Sequence, residues 1–455
     1  MVDVFLSYSH RDKALAETLY HIIEQRRSVF MDRRRLRPGA KWEPMLRKAL
    51  QSARCVVVIW SKASVKSEWV RREAREGLMR DVLIPVCIHE VPIPAEFEQF
   101  QAADLVGWDG NDSDALRLVL GRIDEVIRLP SKTPDAVAEE WAGLVARLDA
   151  KVPHKLPGEN LLLATWNVRG LGQLTPAWTA SADDAPKRDK RAVLAIAEII
   201  SRFDIVMLTE LRGMGEALRM VRDFLGDDWS LIFSEANVGA AGNIERVAFC
   251  FDTRRVLPSG LADRISPFGE SDFLDVGALL VEPMYGATFR TRSPVRPLEL
   301  TLVVLHLDYA LGGEVNAEIT ATVSALATWL EAWSVSESKA GRAVVMLGDF
   351  NPDRRGGPLY DAIIDALSVP EGLHSLPRAV GSPGKGTFRS ELLKFYDQLT
   401  WYGGDPEGPC ATLRHRASGV FDFVGAVHNE LSIRALSYRL SDHYPLWIEF
   451  STPHK

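Results

Sequence analysis

Short, wholly apolar runs that stop abruptly at a polar residue constrain this chain more than any other feature. Residues 344–347 read Val-Val-Met-Leu and run straight into Gly348-Asp349-Phe350-Asn351. Segments 55–60, 82–88, 161–164 and 205–208 are of the same kind. Strands buried on both faces read this way, whereas a strand with one wet face alternates. Separated by segments of helical period, such runs predict sheets covered by helices, an α/β fold. Polar residues at the C-terminal lip of these strands stand where metals and phosphates are commonly met.

At 455 residues the chain exceeds what one core holds, so two domains or more are expected. Over 1–110, strands at 2–7, 55–60, 82–88 and 105–108 alternate with helices at 12–26, 42–53 and 69–79, which predicts a parallel sheet covered on both faces. Segment 111–158 changes character. Residues 116–129 and 135–148 read as amphipathic helices interrupted by Pro130 and Pro134, and Pro153 and Pro157 mark a linker. From 159 to 455 many strands accompany few helices. Strands are expected at 161–166, 205–209, 229–233, 247–251, 277–282, 299–306, 343–347, 398–401 and 446–450. Helices at 189–202, 214–225 and 314–331 complete a two-sheet α/β sandwich.

Composition excludes several classes. No apolar run reaches the roughly 18–20 residues that span a bilayer, and the first residues lack the pattern of a secretory signal. The four cysteines are too far apart for a zinc site or a disulfide framework. A cytoplasmic protein without membrane association is expected. The net charge of −7 divides unevenly: residues 1–110 carry 18 Lys and Arg against 15 Asp and Glu, leaving 36 against 46 for the rest. The acidic second part lacks the basic surface of a tight polyanion binder, so action on nucleic acid must rely on a metal and local arginines.

Polar residues close four strands of that second part: Trp166-Asn167, Thr209-Glu210-Leu211-Arg212, Asp349 with Asn351, and the turn Ser441-Asp442-His443 before the last strand. Cleaving a phosphodiester needs a Lewis acid on a non-bridging oxygen, an activated water and a proton for the leaving oxygen. Asn167, Glu210, Asp349, Asn351 and Asp442 supply oxygens suited to Mg2+ or Mn2+. His306 and His443 can serve as acid and base, each held by a carboxylate.

In this order, Thr165-Trp166-Asn167, Thr209-Glu210-Leu211-Arg212, Glu245-Arg246-Val247-Ala248-Phe249, Val304-Leu305-His306, Gly348-Asp349-Phe350-Asn351, Tyr396-Asp397-Gln398 and Ser441-Asp442-His443 resemble the endonuclease/exonuclease/phosphatase superfamily and its DNase I-like enzymes. The resemblance implies a four-layer α/β sandwich. It implies Glu210 as the main metal ligand, completed by Asn167 and Asp442, with Asp349 and Asn351 orienting the phosphate or holding a second ion. It pairs His443 with Asp397 and His306 with Glu245, and makes the two histidines acid and base. A histidine at 306 favours a nicking enzyme over the abasic-site repair branch, where a tyrosine usually stands. An arginine expected before the strand at 277 is absent from Phe273-Leu274-Asp275-Val276; Arg212, Arg246, Arg290, Arg292 and Arg389 can substitute, Arg212 and Arg246 as the substrate contacts.

Residues 1–110 resemble a bacterial TIR domain, a flavodoxin-like fold, through Phe5-Leu6-Ser7-Tyr8-Ser9, the arginine-rich loop 32–39, and Ser67-Glu68-Trp69-Val70-Arg71-Arg72-Glu73. The loop matches the surface through which TIR domains pack on one another. Ser-x-Trp-x-x-x-Glu matches the NAD-cleaving TIR enzymes, which implies Ser7, Trp69 and Glu73 around NAD with Glu73 catalytic. Trp69 and Glu73 stand at i and i+4, on one helix face; a plain anchoring role for both is the alternative. The expected whole is a TIR domain over 1–110, a helical connector and linker over 111–158, and a metal-dependent DNA endonuclease over 159–455, acting as a prokaryotic anti-phage effector. The rival reading makes NAD hydrolysis the main activity, with the second domain acting on or sensing a small phosphoester or nucleotide.

Overall fold

The computed structural model describes residues 2–25, 27–31, 42–98, 100–129, 133–213, 215–235, 237–238, 244–265, 283–293, 297–307, 317–350, 361, 364–365, 373–375, 397–402 and 413–452. The chain divides into two compact units, Met1–Ala138 and Glu139–Lys455.

In the first unit, β1 (Val4–Ser7), β2 (Val29–Met31), β3 (Cys55–Trp60), β4 (Leu83–Cys87) and β5 (Ala103–Asp104) form a parallel sheet in the order β2-β1-β3-β4-β5. Alternate residues of β1 and β3 feed two cores. Val4, Leu6, Cys55 and Val57 pack under α1 (Lys13–Glu24), while Phe5, Val56 and Val58 pack under α2 (Trp42–Ser52) and α3 (Glu68–Met79). That two-sided burial is why the strands read as unbroken apolar runs.

The segment set apart as a connector divides between the units. Leu116, Val119, Ile123 and Ile127 of α4 (Asp114–Arg128) join the core of β1 and α1. Leu144 and Leu148 of α5 (Asp135–Lys151) join Trp166 and Phe203 in the second unit. There Glu140 pairs with Arg191 of α6 (Lys190–Ile200).

The second unit contains two mixed sheets. One runs β17-β18-β6-β7-β10-β8, with β9 beside β10, built from β6 (Asn160–Leu171), β7 (Ile205–Arg212), β8 (Trp229–Phe233), β9 (Asn237–Val238), β10 (Ile244–Asp252), β17 (Arg414–Val420) and β18 (Leu446–Ser451). The other runs β11-β12-β13-β14-β16-β15, from β11 (Val256–Arg264), β12 (Tyr285–Thr291), β13 (Glu299–His306), β14 (Arg342–Asp349), β15 (Leu373–Ser375) and β16 (Asp397–Tyr402). Leu161, Leu163, Met207 and Phe249 of the first sheet meet Phe289, Leu302, Val345 and Leu399 of the second in a common core. The intervening residues Leu162, Ala164 and Trp166 face outward onto α6 and α7 (Glu216–Leu225). Val303, Leu305, Val344 and Met346 face α8 (Ala317–Lys339). The layers are therefore helix, sheet, sheet, helix, consistent with a DNase I-like sandwich. A short α9 (Ile433–Ser437) precedes the last turn. The strand expected at 277–282 and the arginine-rich loop 32–39 lie outside the described residues; β2, β9, β11, β12, β15 and β17 were not foreseen, and the strand expected at 105–108 falls at Ala103–Asp104. No helix of the described residues is long and apolar enough to cross a membrane.

Candidate active site

Sheet register assembles one wall of the site. β13 and β14 run parallel with His306 opposite Asp349, and β14 and β16 run antiparallel with Asp349 opposite Asp397. Residues opposite one another point to one face, so these three side chains stand in a row. Gly348 makes the approach of β13 and β14 feasible: its φ is 144°, and a Cβ there would lie 2.0 Å from the Leu305 carbonyl oxygen.

His443 closes the row from the turn before β18. Its Nδ1 lies 2.8 Å from Asp397 Oδ2, and its Nε2 lies 3.9 Å from Asp349 Oδ2. His306 Nε2 is 3.8 Å from the same Asp349 oxygen. All four side chains are buried. Burial opposes the charged imidazolium, but the charge and hydrogen bond of Asp397, with Asp349 and Asp442 behind them, outweigh it and raise His443 to about 9. Burial likewise pushes Asp397 up, and His443 only partly counters this. The turn is tied to the end of β6 by backbone contacts. The Ser441 hydroxyl donates to the Asn167 carbonyl at 2.5 Å, the His443 N–H donates to Ser441 Oγ at 2.9 Å, and Trp166 Nε1–H donates to the His443 carbonyl at 2.9 Å.

The opposite wall carries oxygen donors from β6 and β7. Asn167 Nδ2 donates to Glu210 Oε1 at 2.8 Å and reaches Asp349 Oδ2 at 3.5 Å. Glu210 has a φ of 56°, a left-handed backbone that favours glycine. Asp442 Oδ2 lies 3.6 Å from Arg169, while its buried Oδ1 has no hydrogen-bond partner among the described residues. Arg212 pairs with Glu245 at 3.3 Å. Burial and the neighbouring Glu210 push the Glu245 carboxyl up, against the pull of Arg212 and His306. Arg246 Nε is buried without a hydrogen-bond partner among the described residues. Asn351 lies outside the described residues.

Among the described residues no group of three or more His, Cys, Asp and Glu could hold a metal ion. The donor chemistry nevertheless fits a hard divalent cation. Asn167 donates to both Glu210 and Asp349, and Asp442 Oδ1, orphaned among the described residues, is an oxygen free to ligate.

Arg188 was not foreseen. Its buried guanidinium donates to the carbonyls of Val168, Arg169, Gly170, Arg439 and Leu440, clamping the end of β6 to the approach of Ser441-Asp442-His443. Burial and nearby Arg169 lower it to about 10, so it stays charged at neutral pH. Only its place one residue before the N-cap Asp189 was visible in the sequence, and nothing there signals carbonyls some 250 positions away.

In the first unit, Ser7, Trp69 and Glu73 come together. The Ser7 hydroxyl donates to Glu73 Oε2 at 2.5 Å and Trp69 Nε1–H to Oε1 at 2.6 Å, from the end of β1 and the first turn of α3. Glu73 is buried. Arg72 lies over the Trp69 ring at 5.0 Å, and Arg71 and Arg75 engage Glu96.

A family model described as TIR domain matches residues 4–120. No curated protein matches the chain. Among solved structures, humanized D. rerio TDP2 is 13% identical, with a TM-score of 0.41, over 64% of this chain and 99% of its own. An endonuclease/exonuclease/phosphatase family protein from Bacteroides thetaiotaomicron is 16% identical, with a TM-score of 0.41, over 65% of this chain and 98% of its own. The mannosyl-6-phosphatase Bt3783 of Bacteroides thetaiotaomicron VPI-5482 is 16% identical, with a TM-score of 0.40, over 64% and 99%. Residues 4–120 are a TIR domain, joined to a mixed two-sheet sandwich whose structural neighbours are endonuclease/exonuclease/phosphatase proteins.

Proposed function

We propose that the second unit is a metal-dependent phosphodiesterase acting on DNA as an endonuclease of the nicking type, and that the TIR domain assembles or regulates it. The observation that carries this reading is the buried row His306, Asp349 and Asp397, with His443 locked onto Asp397 beside the Asn167–Glu210 pair. Two imidazoles about one carboxylate oxygen suit in-line displacement at phosphorus, because one can donate a proton while the other accepts. One of His443 and His306 takes the donor side and the other the acceptor side. Asp397 fixes the His443 tautomer, leaving Nε2 toward the site. Glu210, Asn167, Asp349 and Asp442 would hold Mg2+ or Mn2+, which when bound supplies Lewis-acid polarisation of a non-bridging phosphate oxygen. Arg212 and Arg246 would face the substrate phosphates.

Supercoiled plasmid with Mg2+ tests the assignment. The wild type should give open circles and His306→Ala should lose at least about a hundredfold in rate; equal nicking by both proteins would defeat it. A TIR domain beside such an activity fits a toxic effector of prokaryotic anti-phage defence, a role argued from architecture by analogy.

The Ser7–Glu73–Trp69 cluster favours a second reading, in which the TIR domain cleaves NAD and the second unit acts on or senses a small phosphoester. A carboxylate beside the nicotinamide ribose can stabilise an oxocarbenium-like transition state. Loss of NAD from wild type and not from Glu73→Gln would support it.

A further inference from the structure

Beside the phosphodiester site lies a cavity of about 720 Å³ lined by Arg169, Lys187, Arg188, Arg212 and Tyr438, with Asp184 its single acid. Its volume is within the roughly 300–1,000 Å³ of small-ligand sites. Its charge is unbalanced. Among the described residues, the hydrogen bonds of Lys187 and Arg188 all go to backbone carbonyls, and Arg188 is buried. Arg188 spends its donors on those carbonyls and gives the wall positive charge, which leaves the half-buried Lys187 ammonium as the cation open to an anion from outside. Arg169 and Arg212 join the cavity to the reacting centre, since they also reach Asp442 and Glu245. The Arg169 guanidinium stacks on the Tyr438 ring at 3.9 Å, yet that ring remains 49% exposed.

Resting on the phosphodiesterase reading, we propose that this cavity is a subsite for one unpaired nucleotide next to the scissile phosphate, its phosphate on Lys187 and its base against Tyr438. A cation-lined recess with an exposed aromatic is the chemistry that takes single-stranded nucleic acid. A base seated in this recess against Tyr438 must have left its duplex partner. The enzyme therefore works where the strand is unpaired next to the cut: a single strand, a frayed end or a locally melted stretch of supercoiled DNA.

The test is fluorescence anisotropy on the full chain, with Ca2+ in place of Mg2+, using fluorescein-labelled single-stranded decathymidylate and the matching duplex. Tyr438→Ala should weaken single-strand binding about tenfold and Tyr438→Phe should restore it, as loss and return of one stacked base require. Lys187→Gln should lower the salt slope for the single strand by about 0.7. Duplex binding should not change in Tyr438→Ala. Wild-type affinity for the single strand in Tyr438→Ala, equal losses on both probes, or no single-strand binding by the wild type would each overturn the subsite. Hydrolysis of bis(p-nitrophenyl) phosphate by the wild type, which needs no neighbouring nucleotide, reports separately on the phosphodiesterase reading. Hydrolysis by the wild type together with single-strand binding indifferent to Tyr438→Ala sinks the subsite alone, and Tyr438-dependent binding without hydrolysis sinks the phosphodiesterase reading alone.

Discussion

A carboxylate buried against an imidazole both orients it and holds its proton, and Asp397 does this for His443. Because His443 is raised from the usual 6.5 to about 9, its protonation contributes stability that is fully present below about pH 6.5 and fades as the pH rises through about 9. In Asp397→Asn the main opposing charge is lost while burial remains, so NMR titration should find His443 well below about 9, held up only by Asp349 and Asp442. The same variant should lose about 10²–10⁴ in turnover. A His443 still titrating near 9 would contradict this account. Glu210 makes the opposite kind of prediction. Its left-handed φ costs about 1–3 kcal/mol, so Glu210→Gly should raise the melting temperature while abolishing divalent-cation binding by calorimetry. Asn167, Glu210, His306 and Asp349 were legible because each follows an apolar run, and His443 because it stands in the short turn before one; Asp397 and Glu245, at the start of strands, were reached only through the resemblance. Arg188 was not legible, since its contacts are backbone carbonyls that no residue type announces.

Among elements, the legible ones were those buried on both faces, such as β3, β6 and β14. β11 was missed because nearly all of it is exposed and its Pro258-Ser259-Gly260 reads as a loop; a bulge spans that stretch. β12 was missed because Gly286 and Ala287 weaken its strand signal. Proline flags likewise set α4 and α5 apart from the domains, although their apolar faces complete two different cores. A fragment starting at Asp135 should therefore resist urea better than one starting at Glu159. The shorter one uncovers the core that Leu144, Leu148 and Val152 seal, at a cost on the order of 5 kcal/mol. Equal unfolding midpoints would mean that α5 is dispensable. At the edge of β14, Gly348→Ala should cost more than about 3 kcal/mol in chemical denaturation, because the new methyl meets the Leu305 carbonyl rather than a side chain that can swing away.

For the molecule as a whole, each unit carries its own cluster of polar side chains, and the two rest on different chemistry. Chelation with EDTA should stop phosphodiester cleavage and leave any NAD loss untouched, whereas Glu73→Gln should do the reverse. NAD consumption measured beside plasmid nicking in one tube checks both, and a chelator that stopped both would tie the two activities to one metal. The row of His306, Asp349 and Asp397 has a further bearing on the history of such a chain. Those residues are aligned by counting along three strands, and a strand that gains or loses one residue turns its remaining side chains to the opposite face. Loops face no such arithmetic, because added length costs them little. Insertions and deletions accumulated by descendants of this sequence should thus fall between β13, β14 and β16 and never within them, so gap positions in an alignment would trace the site without reference to which residues are conserved.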